Sequence, residues 1–264
     1  MAIVMRKIED LVYWVEEHIP VPHAFTTRLG GVSEGVYASL NLGQNRGDDL
    51  AAVAENYDRI TAALGTSKER LVFSHQVHGD SVRVVGEADC LGDILCPPDC
   101  AADGLLTRER DVALAVFTAD CIPVLLWDEG TGAVGAVHAG WRSTVLDIVG
   151  NAIRKLEELG AKPEQIHAAI GPGIGPCCFE TGPEVPEAVR AVLGTASETC
   201  IREKEGGKAM VDLKEVNRRL LIRAGLNLER VTVATQCTMC APEMFWSHRV
   251  TSGARGSQAA IIRR

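Results

Sequence analysis

The sequence predicts a mixed α and β fold: a single domain over 1–264 in which largely mixed β-sheets are flanked by helices. Three observations lead there. A unit of helix, glycine and apolar strand recurs three times, two further apolar strands run straight into candidate site residues, and no proline- or serine-rich linker divides the chain.

In each unit the helical stretch ends at Gly65, Gly160 or Gly225. A glutamate follows four residues later (Glu69, Glu164, Glu229), and then an apolar run: Leu71-Val72-Phe73, Ile166–Ile170 or Val231-Thr232-Val233-Ala234. An offset of 160 between the first and third units also pairs Glu55 with Glu215, Arg59 with Arg219 and Gln76 with Gln236. These matches suggest an internal duplication, against the plain alternative that a common motif has recurred by chance. The third unit shows the physics. Asp212 is placed to N-cap its helix with Glu215 closing a capping box, Leu213, Val216, Leu220, Leu221 and Ala224 form one apolar face, and Gly225 supplies a left-handed end.

The two further strands cover 112–117, running into Thr118-Ala119-Asp120-Cys121, and 133–137, running into His138. Both are almost wholly apolar, as strands covered on both faces should be. Gly132 marks the turn between Leu125-Leu126-Trp127 and the second of them. A helix is expected over 144–159, with Ile148, Ala152, Leu156 and Leu159 on one face.

Composition narrows the function. The chain has 264 residues, 46% hydrophobic and 23% charged, which is an ordinary globular balance with ample length for a core. A net charge of −8 argues against nucleic acid and anionic membrane surfaces as partners, though an anionic substrate can still meet a locally basic site. Lys7, Glu9, Asp10, Glu16 and Glu17 interrupt any apolar leader, and no run approaches the roughly 20 residues of a membrane helix. Nine cysteines, an odd number that includes the adjacent Cys177-Cys178, make a poor disulfide framework and point to a reducing cytoplasm.

The candidate site rests on Cys121 and His138, 17 residues apart, with His78 upstream in Gln76-Val77-His78-Gly79. Two imidazoles and one thiolate leave a tetrahedral ion one open position, the pattern of a metal that does chemistry. Taken singly, each of these residues is more readily a packed core residue; the combination, with Asp120 beside Cys121 and Gly140-Trp141-Arg142 after His138, shifts the weight. His75 competes with His78, since on an extended strand the two face opposite sides, and the residues alone do not choose. Cys90, Cys96 and Cys100 read as incidental thiols. Cys237 and Cys240 form a CxxC with no second pair at ribbon spacing, and Cys177-Cys178 follow a stiff glycine–proline loop that shapes a pocket wall. Arg28 and Arg249 offer forks for phosphate or carboxylate, with surface ion pairing as the plainer role.

Taken together, the stretches at 26–33, Ser39-Leu40-Asn41-Leu42-Gly43, Gln76-Val77-His78-Gly79, Ala102-Asp103-Gly104, Thr118-Ala119-Asp120-Cys121, 138–142, 170–179 and Cys237-Thr238 resemble the YfiH-like laccase-domain family. Its members carry the labels polyphenol oxidase, peptidoglycan editing factor and purine nucleoside phosphorylase. The resemblance implies His78, Cys121 and His138 as ligands of Zn2+, with Cu2+ a possible substitute, and leaves His75 aside. It implies phosphorolysis of adenosine, inosine and guanosine to base and ribose 1-phosphate, with adenosine deamination, so that purine nucleosides and phosphate are the expected partners. Asp120 joins the three ligands as a catalytic candidate. Arg28 with Ser33 or Arg249 is the candidate anion clamp, and Asn41 and Arg142 lie in matching stretches as further substrate-binding candidates. The chain departs from the family's closing Phe-Ser-Tyr-Arg-Arg and Thr-Gly-Arg: it has Trp246-Ser247-His248-Arg249-Val250 and Gly253-Ala254-Arg255-Gly256, so Arg249 carries over and the role of Arg255 is left open. Two alternatives remain. One is a cysteine hydrolase or amidase editing peptidoglycan precursors, with Cys121 as nucleophile and His138 as base; the other is a copper-dependent polyphenol oxidase, disfavoured by seven histidines with no His-x-His pair.

Overall fold

The computed structural model describes residues 2–90, 92–95 and 100–264; Cys96 lies outside the described residues. Its fold is mixed α and β. Two six-stranded sheets form the centre. The first runs Ile3–Ile8, Leu11–Glu16, His23–Thr26, Gln258–Arg263, Ala113–Thr118, Leu71–Val72; the second runs Val231–Val233, Ile166–Ile170, Ile122–Asp128, Val134–Ala139, Gly104–Thr107, Val82–Val84. Most neighbours are antiparallel. Leu71–Val72 on Ala113–Thr118, Val82–Val84 on Gly104–Thr107, and Val231–Val233 on Ile166–Ile170 are parallel. A small third sheet joins Glu180–Thr181, Ala209–Val211 and Ile201–Glu203.

The two large sheets pack face to face. Phe25, Val72, Leu114, Val116, Ala260 and Ile262 of the first meet Leu105, Leu125, Val134, Ala136 and Ala169 of the second in one buried cluster. Helix α1 (Leu50–Ala63) covers the outer face of the first sheet through Val53, Tyr57 and Ile60. The outer face of the second is covered by α3 (Ile148–Glu158), α4 (Glu184–Leu193) and α5 (Leu213–Arg223). Each central strand therefore has a helix on one side and a sheet on the other, which is why Ala113–Thr118 and Val134–Ala139 are apolar throughout. No helix among the described residues is long and apolar enough to cross a membrane.

The expected helix over 144–159 is two helices. A short α2 (Trp141–Val145) precedes α3, and the break falls at Asp147, which adopts a left-handed φ of 61°. Its carboxylate accepts from Gly150 N at 3.3 Å and pairs with Arg223 at 3.0 Å, so it starts α3 as an N-cap rather than continuing α2. The recurrent unit is present as local geometry. Gly65, Gly160 and Gly225 all have positive φ (65°, 92° and 102°), a single tight helical turn follows each, and then a strand. The second and third strands are neighbours in the second sheet, whereas the first lies in the other sheet. Asp212 caps α5 by accepting from Lys214 N and Glu215 N at 3.1 Å each. Glu215 turns away to Arg218 and Arg219, so only half of the capping box forms.

Candidate active site

The site lies where the chain passes from one sheet to the other. Strand Ala113–Thr118 belongs to the first sheet, Ile122–Asp128 to the second, and Ala119-Asp120-Cys121 makes the crossing. Asp120 takes a φ of 91° there, a left-handed conformation that costs energy for a non-glycine residue and that recurs at functional turns. The adjoining ladder pairs Pro123 with His138 and Ile122 with Ala139, which brings Cys121 beside His138. His78, also left-handed at φ 59°, arrives on the loop after Leu71–Val72. Gln76 seats that loop: its amide donates to Phe117 O at 2.8 Å and accepts from Phe117 N at 2.7 Å, pairing with the strand as a backbone would.

Asp103 organises the trio. It is fully buried at the start of Gly104–Thr107. Its Oδ2 accepts from Val77 N (3.1 Å) and Gly79 N (2.8 Å), and its Oδ1 from His78 N (3.0 Å) and His138 Nδ1 (2.7 Å). One carboxylate thus shapes the His78 turn and fixes the His138 ring, with Nε2 on the side away from Asp103. A carboxylate behind an imidazole is how metal sites orient a ligand. The donor atoms of His78, Cys121 and His138 all lie within 4.8 Å of one another, and the two imidazoles meet edge to face at 4.8 Å. Gly140 makes this closeness possible: a Cβ there would sit 2.5 Å from His78 Nδ1 and 3.4 Å from Cys121 Sγ.

Charge reinforces the arrangement. Burial opposes protonation of His138, but the facing Cys121 sulfur and the Asp103 carboxylate outweigh it and push the ring up to about 9. Burial and the neighbouring His138 charge push His78 down. In the metal-free protein His138 therefore carries a proton that an arriving cation displaces. Two imidazoles and a thiolate, one imidazole with a carboxylate behind it, fit a tetrahedral d10 ion with one open position.

The trio opens into a cavity of about 570 Å³, within the range of small-molecule sites. Arg46, Arg249, Arg255, His75, His248, Thr118, Asp120 and Ile174 are among its lining residues. Arg255 is buried; Nη1 donates to Gly256 O (2.7 Å) and Ser257 Oγ (3.2 Å), while its buried Nε has no protein partner. Burial, then the Arg46 charge, lowers it to about 10, so it remains a cation at neutral pH. Thr118 Oγ1 is likewise buried without a protein partner. Arg249 anchors through its backbone N to Asp120 Oδ2 (2.7 Å) and through Nη1 to Glu180 O (3.1 Å), with its guanidinium 5.7 Å above the Phe179 ring. Asp120 Oδ1 accepts from Thr238 Oγ1 at 2.7 Å, so both oxygens of Asp120 are engaged in holding the wall.

The other sequence candidates lie elsewhere: Arg28 and Ser33, expected in the anion clamp, are not among the residues that line the cavity. Arg28 spends its guanidinium on Ala38 O (3.1 and 2.7 Å) and Pro242 O (2.8 Å) and stacks 4.0 Å over Trp246. Ser33 donates to Asp48 at 2.6 Å. Asn41 is fully buried, accepting from Gly43 N (2.8 Å) and Ser257 N (2.9 Å), so it fixes two segments that line the cavity without lining it. Arg142 is exposed beside Trp141, 4.4 Å from its ring, and is not among the residues that line the cavity. His75 does line the cavity, although it stands apart from the trio. Three residues escaped the sequence reading: Asp103, visible only as part of a matching tripeptide; Arg46, which no motif singled out; and Arg255, whose role the sequence leaves open because its motif departs from the family pattern.

The comparisons follow the same outline. The family model for multi-copper polyphenol oxidoreductase laccase matches residues 22–264. Purine nucleoside phosphorylase of Deinococcus radiodurans is 42% identical over 246 residues, covering 93% of this chain and 90% of that one. Adenosine deaminase RL5, from an unknown prokaryotic organism, is 34% identical over 230 residues, covering 86% and 87%. The crystal structure of YlmD from Geobacillus stearothermophilus superimposes with a TM-score of 0.92 at 33% identity, covering 100% of this chain and 99% of that one. With the match running nearly end to end in sequence and in structure, the chain belongs to the YfiH-like family described as multi-copper polyphenol oxidoreductase laccase.

Proposed function

We propose that this protein is a zinc-dependent purine nucleoside phosphorylase that cleaves adenosine, inosine and guanosine to base and ribose 1-phosphate and also deaminates adenosine. The observation that carries the reading is one cavity joining a His2Cys donor set to Arg46, Arg249 and Arg255 in a chain of net charge −8. An anion-selective patch on an acidic protein fits a phosphate co-substrate. The names of the relatives from Deinococcus radiodurans and of RL5 point to the same two reactions.

In phosphorolysis the C1′–N9 bond breaks, a phosphate oxygen bonds to C1′, and the purine leaves with a proton. Arg255, with an unspent Nε, and Arg46 hold the phosphate and neutralise its charge as it attacks. Thr118 Oγ1 offers a further hydrogen bond inside the cavity. Asp120, pinned at both oxygens, fixes the backbone of Arg249 and with it the opposite wall. His75 and His248 face the space where base and sugar fit. For deamination, zinc held by His78, Cys121 and His138 would supply Lewis-acid activation of a water for attack at C6 of adenine.

Incubating the purified protein with inosine and adenosine, with and without phosphate, tests this. Base and ribose 1-phosphate should appear only with phosphate, and ammonia from adenosine. Base release without phosphate would make it a hydrolase, and no turnover would end the nucleoside reading.

One observation favours the cysteine-hydrolase alternative: Cys121 Sγ lies within 4.8 Å of the His138 ring nitrogen, and Asp103 orients that ring, in the order of a nucleophile, a base and an orienting acid. A metal-bound thiolate is a poor nucleophile, so active protein with stoichiometric zinc excludes it. Multicopper chemistry draws less support. Besides His78 and His138 the cavity offers His75 and His248, while His18, His23 and His167 are bonded elsewhere.

A further inference from the structure

Cys177, Cys178, Cys237 and Cys240 come from two parts of the chain some sixty residues apart, yet their four sulfurs all lie within 4.8 Å of one another. We propose that these four cysteines bind a second zinc ion, separate from the His78–Cys121–His138 set, that fastens together two walls of the cavity.

The topology explains the meeting. Strands Ile166–Ile170 and Val231–Val233 are parallel neighbours, so the loops leaving their C-terminal ends start side by side. Gly173 pairs with Cys237, and Thr238 N donates to Gly173 O at 3.2 Å, which locks the loops in register. Cys177 Sγ then lies 3.5 Å and Cys178 Sγ 3.3 Å from Cys240 Sγ. These separations are far beyond a disulfide bond of about 2.05 Å. They lie close to the roughly 3.8 Å between sulfurs that Zn–S bonds of about 2.3 Å give at tetrahedral angles. A tetrathiolate set suits zinc and is typical of closed, structural sites.

The surroundings answer the charge such a centre carries. Gly175 N donates to Cys237 Sγ at 3.2 Å, and Cys240 N donates to Cys237 O at 3.2 Å, which closes the turn between the two cysteines. Peptide N–H groups directed at a thiolate are the outer-shell bonds that stabilise sulfur ligands. Buried Lys214 sits beside the cluster, its Nζ donating to Ala234 O (2.9 Å) and Gln236 O (2.5 Å) on the segment leading to Cys237. Gly175 itself leaves little room, because a Cβ there would stand 3.2 Å from both Cys177 Sγ and Cys237 Cβ.

The consequence reaches the cavity. The first loop carries Ile174, which lines the cavity and donates its N–H to Asp120 O at 2.8 Å. The second carries Thr238, which holds Asp120 Oδ1. An ion bridging the loops fixes the placement of Asp120 from both sides, without touching substrate.

Metal analysis of the full chain, prepared under reductant with zinc supplied, tests the proposal. The parent should hold two zinc equivalents, the His138→Ala variant one, and the Cys177→Ser/Cys240→Ser double variant one. Cobalt in place of zinc in His138→Ala should give the intense sulfur-to-metal bands of a tetrathiolate. Alkylation of the parent mapped by peptide mass should find all four thiols protected until a chelator is added, a reading that needs no variant to fold. No zinc in His138→Ala, unchanged zinc in the double variant, or free alkylation of these thiols in zinc-loaded protein would each overturn it.

Discussion

Replacing Asp103 by Asn keeps the size and shape of a fully buried side chain but changes which atoms can accept hydrogen bonds. Each carboxylate oxygen now accepts two: Oδ2 from Val77 N and Gly79 N, Oδ1 from His78 N and His138 Nδ1. An amide has one oxygen, so in either orientation its NH2 faces two donors. If it faces Val77 and Gly79, two half-exposed N–H groups lose their acceptor; water can reach them, so the cost is about 0.5–1.5 kcal/mol each, or about 1–3 kcal/mol together. If it faces His78 N and His138, the imidazole can recover one bond by moving its proton to Nε2, the nitrogen needed for the metal. Stability then falls less, and zinc affinity falls by the 10–100-fold expected when an orienting partner is lost. The two costs trade against each other, so measuring both is decisive. Urea unfolding of metal-free protein gives the first, and competition with a chromophoric chelator gives the second. An Asp103→Asn protein within about 0.5 kcal/mol of the parent that also binds zinc as tightly would refute the role assigned to Asp103.

The two arginine readings separate cleanly. Arg255→Met should raise the KM for phosphate at least tenfold, whereas Arg28→Ala should leave that KM unchanged and lower stability by about 2 kcal/mol, because it strands Ala38 O and Pro242 O and removes the stack on Trp246; initial rates across phosphate concentrations and thermal melts decide both, and a phosphate effect confined to Arg28→Ala would reverse the assignment. Gly140→Ala puts a methyl 2.5 Å from His78 Nδ1, so zinc bound to the trio should exchange faster and bind more weakly, with unaltered affinity counting against the close fit. His23 is buried, accepts from Glu16 N through Nε2 at 2.8 Å and donates from Nδ1 to Val21 O at 2.7 Å; burial, opposed by Val21 O and Glu16, lowers it below its usual 6.5. The unfolded chain then binds the proton more readily, so stability is full above about pH 6.5 and falls as pH drops below it; His23→Gln should flatten that slope in denaturant titrations at pH 5–7, and an unchanged slope would place the titration elsewhere.

What the sequence made legible, and what it hid, follows from the range of the forces involved. Strands covered on both faces print a continuous apolar run, and so Ala113–Thr118 and Val134–Ala139 could be read with the residues at their ends. The helix break at Asp147 was hidden because an aspartate that caps α3 differs from one on its surface only by a backbone angle. Arg28 was misplaced for a related reason: an arginine in a glycine-rich loop looks the same whether its fork meets an anion or, as here, the carbonyls of Ala38 and Pro242. Asp103 and the four cysteines needed more still. Asp103 acts on His138 across 35 residues, and Cys177-Cys178 meets Cys237-x-x-Cys240 only because two strands pair in parallel. Hydrophobic period reports which face of an element is buried but not which elements are neighbours, so a donor set split between two strand ends reads as two incomplete motifs. The His78, Cys121 and His138 set was split in the same way among three segments. It was readable because each donor lies beside a motif shared with relatives, which Asp103's place in the polar network does not advertise. A residue that touches substrate or metal directly is thus easier to find from sequence than the one that orients it, and in this site the orienting residue, Asp103, makes more hydrogen bonds than any member of the trio it serves.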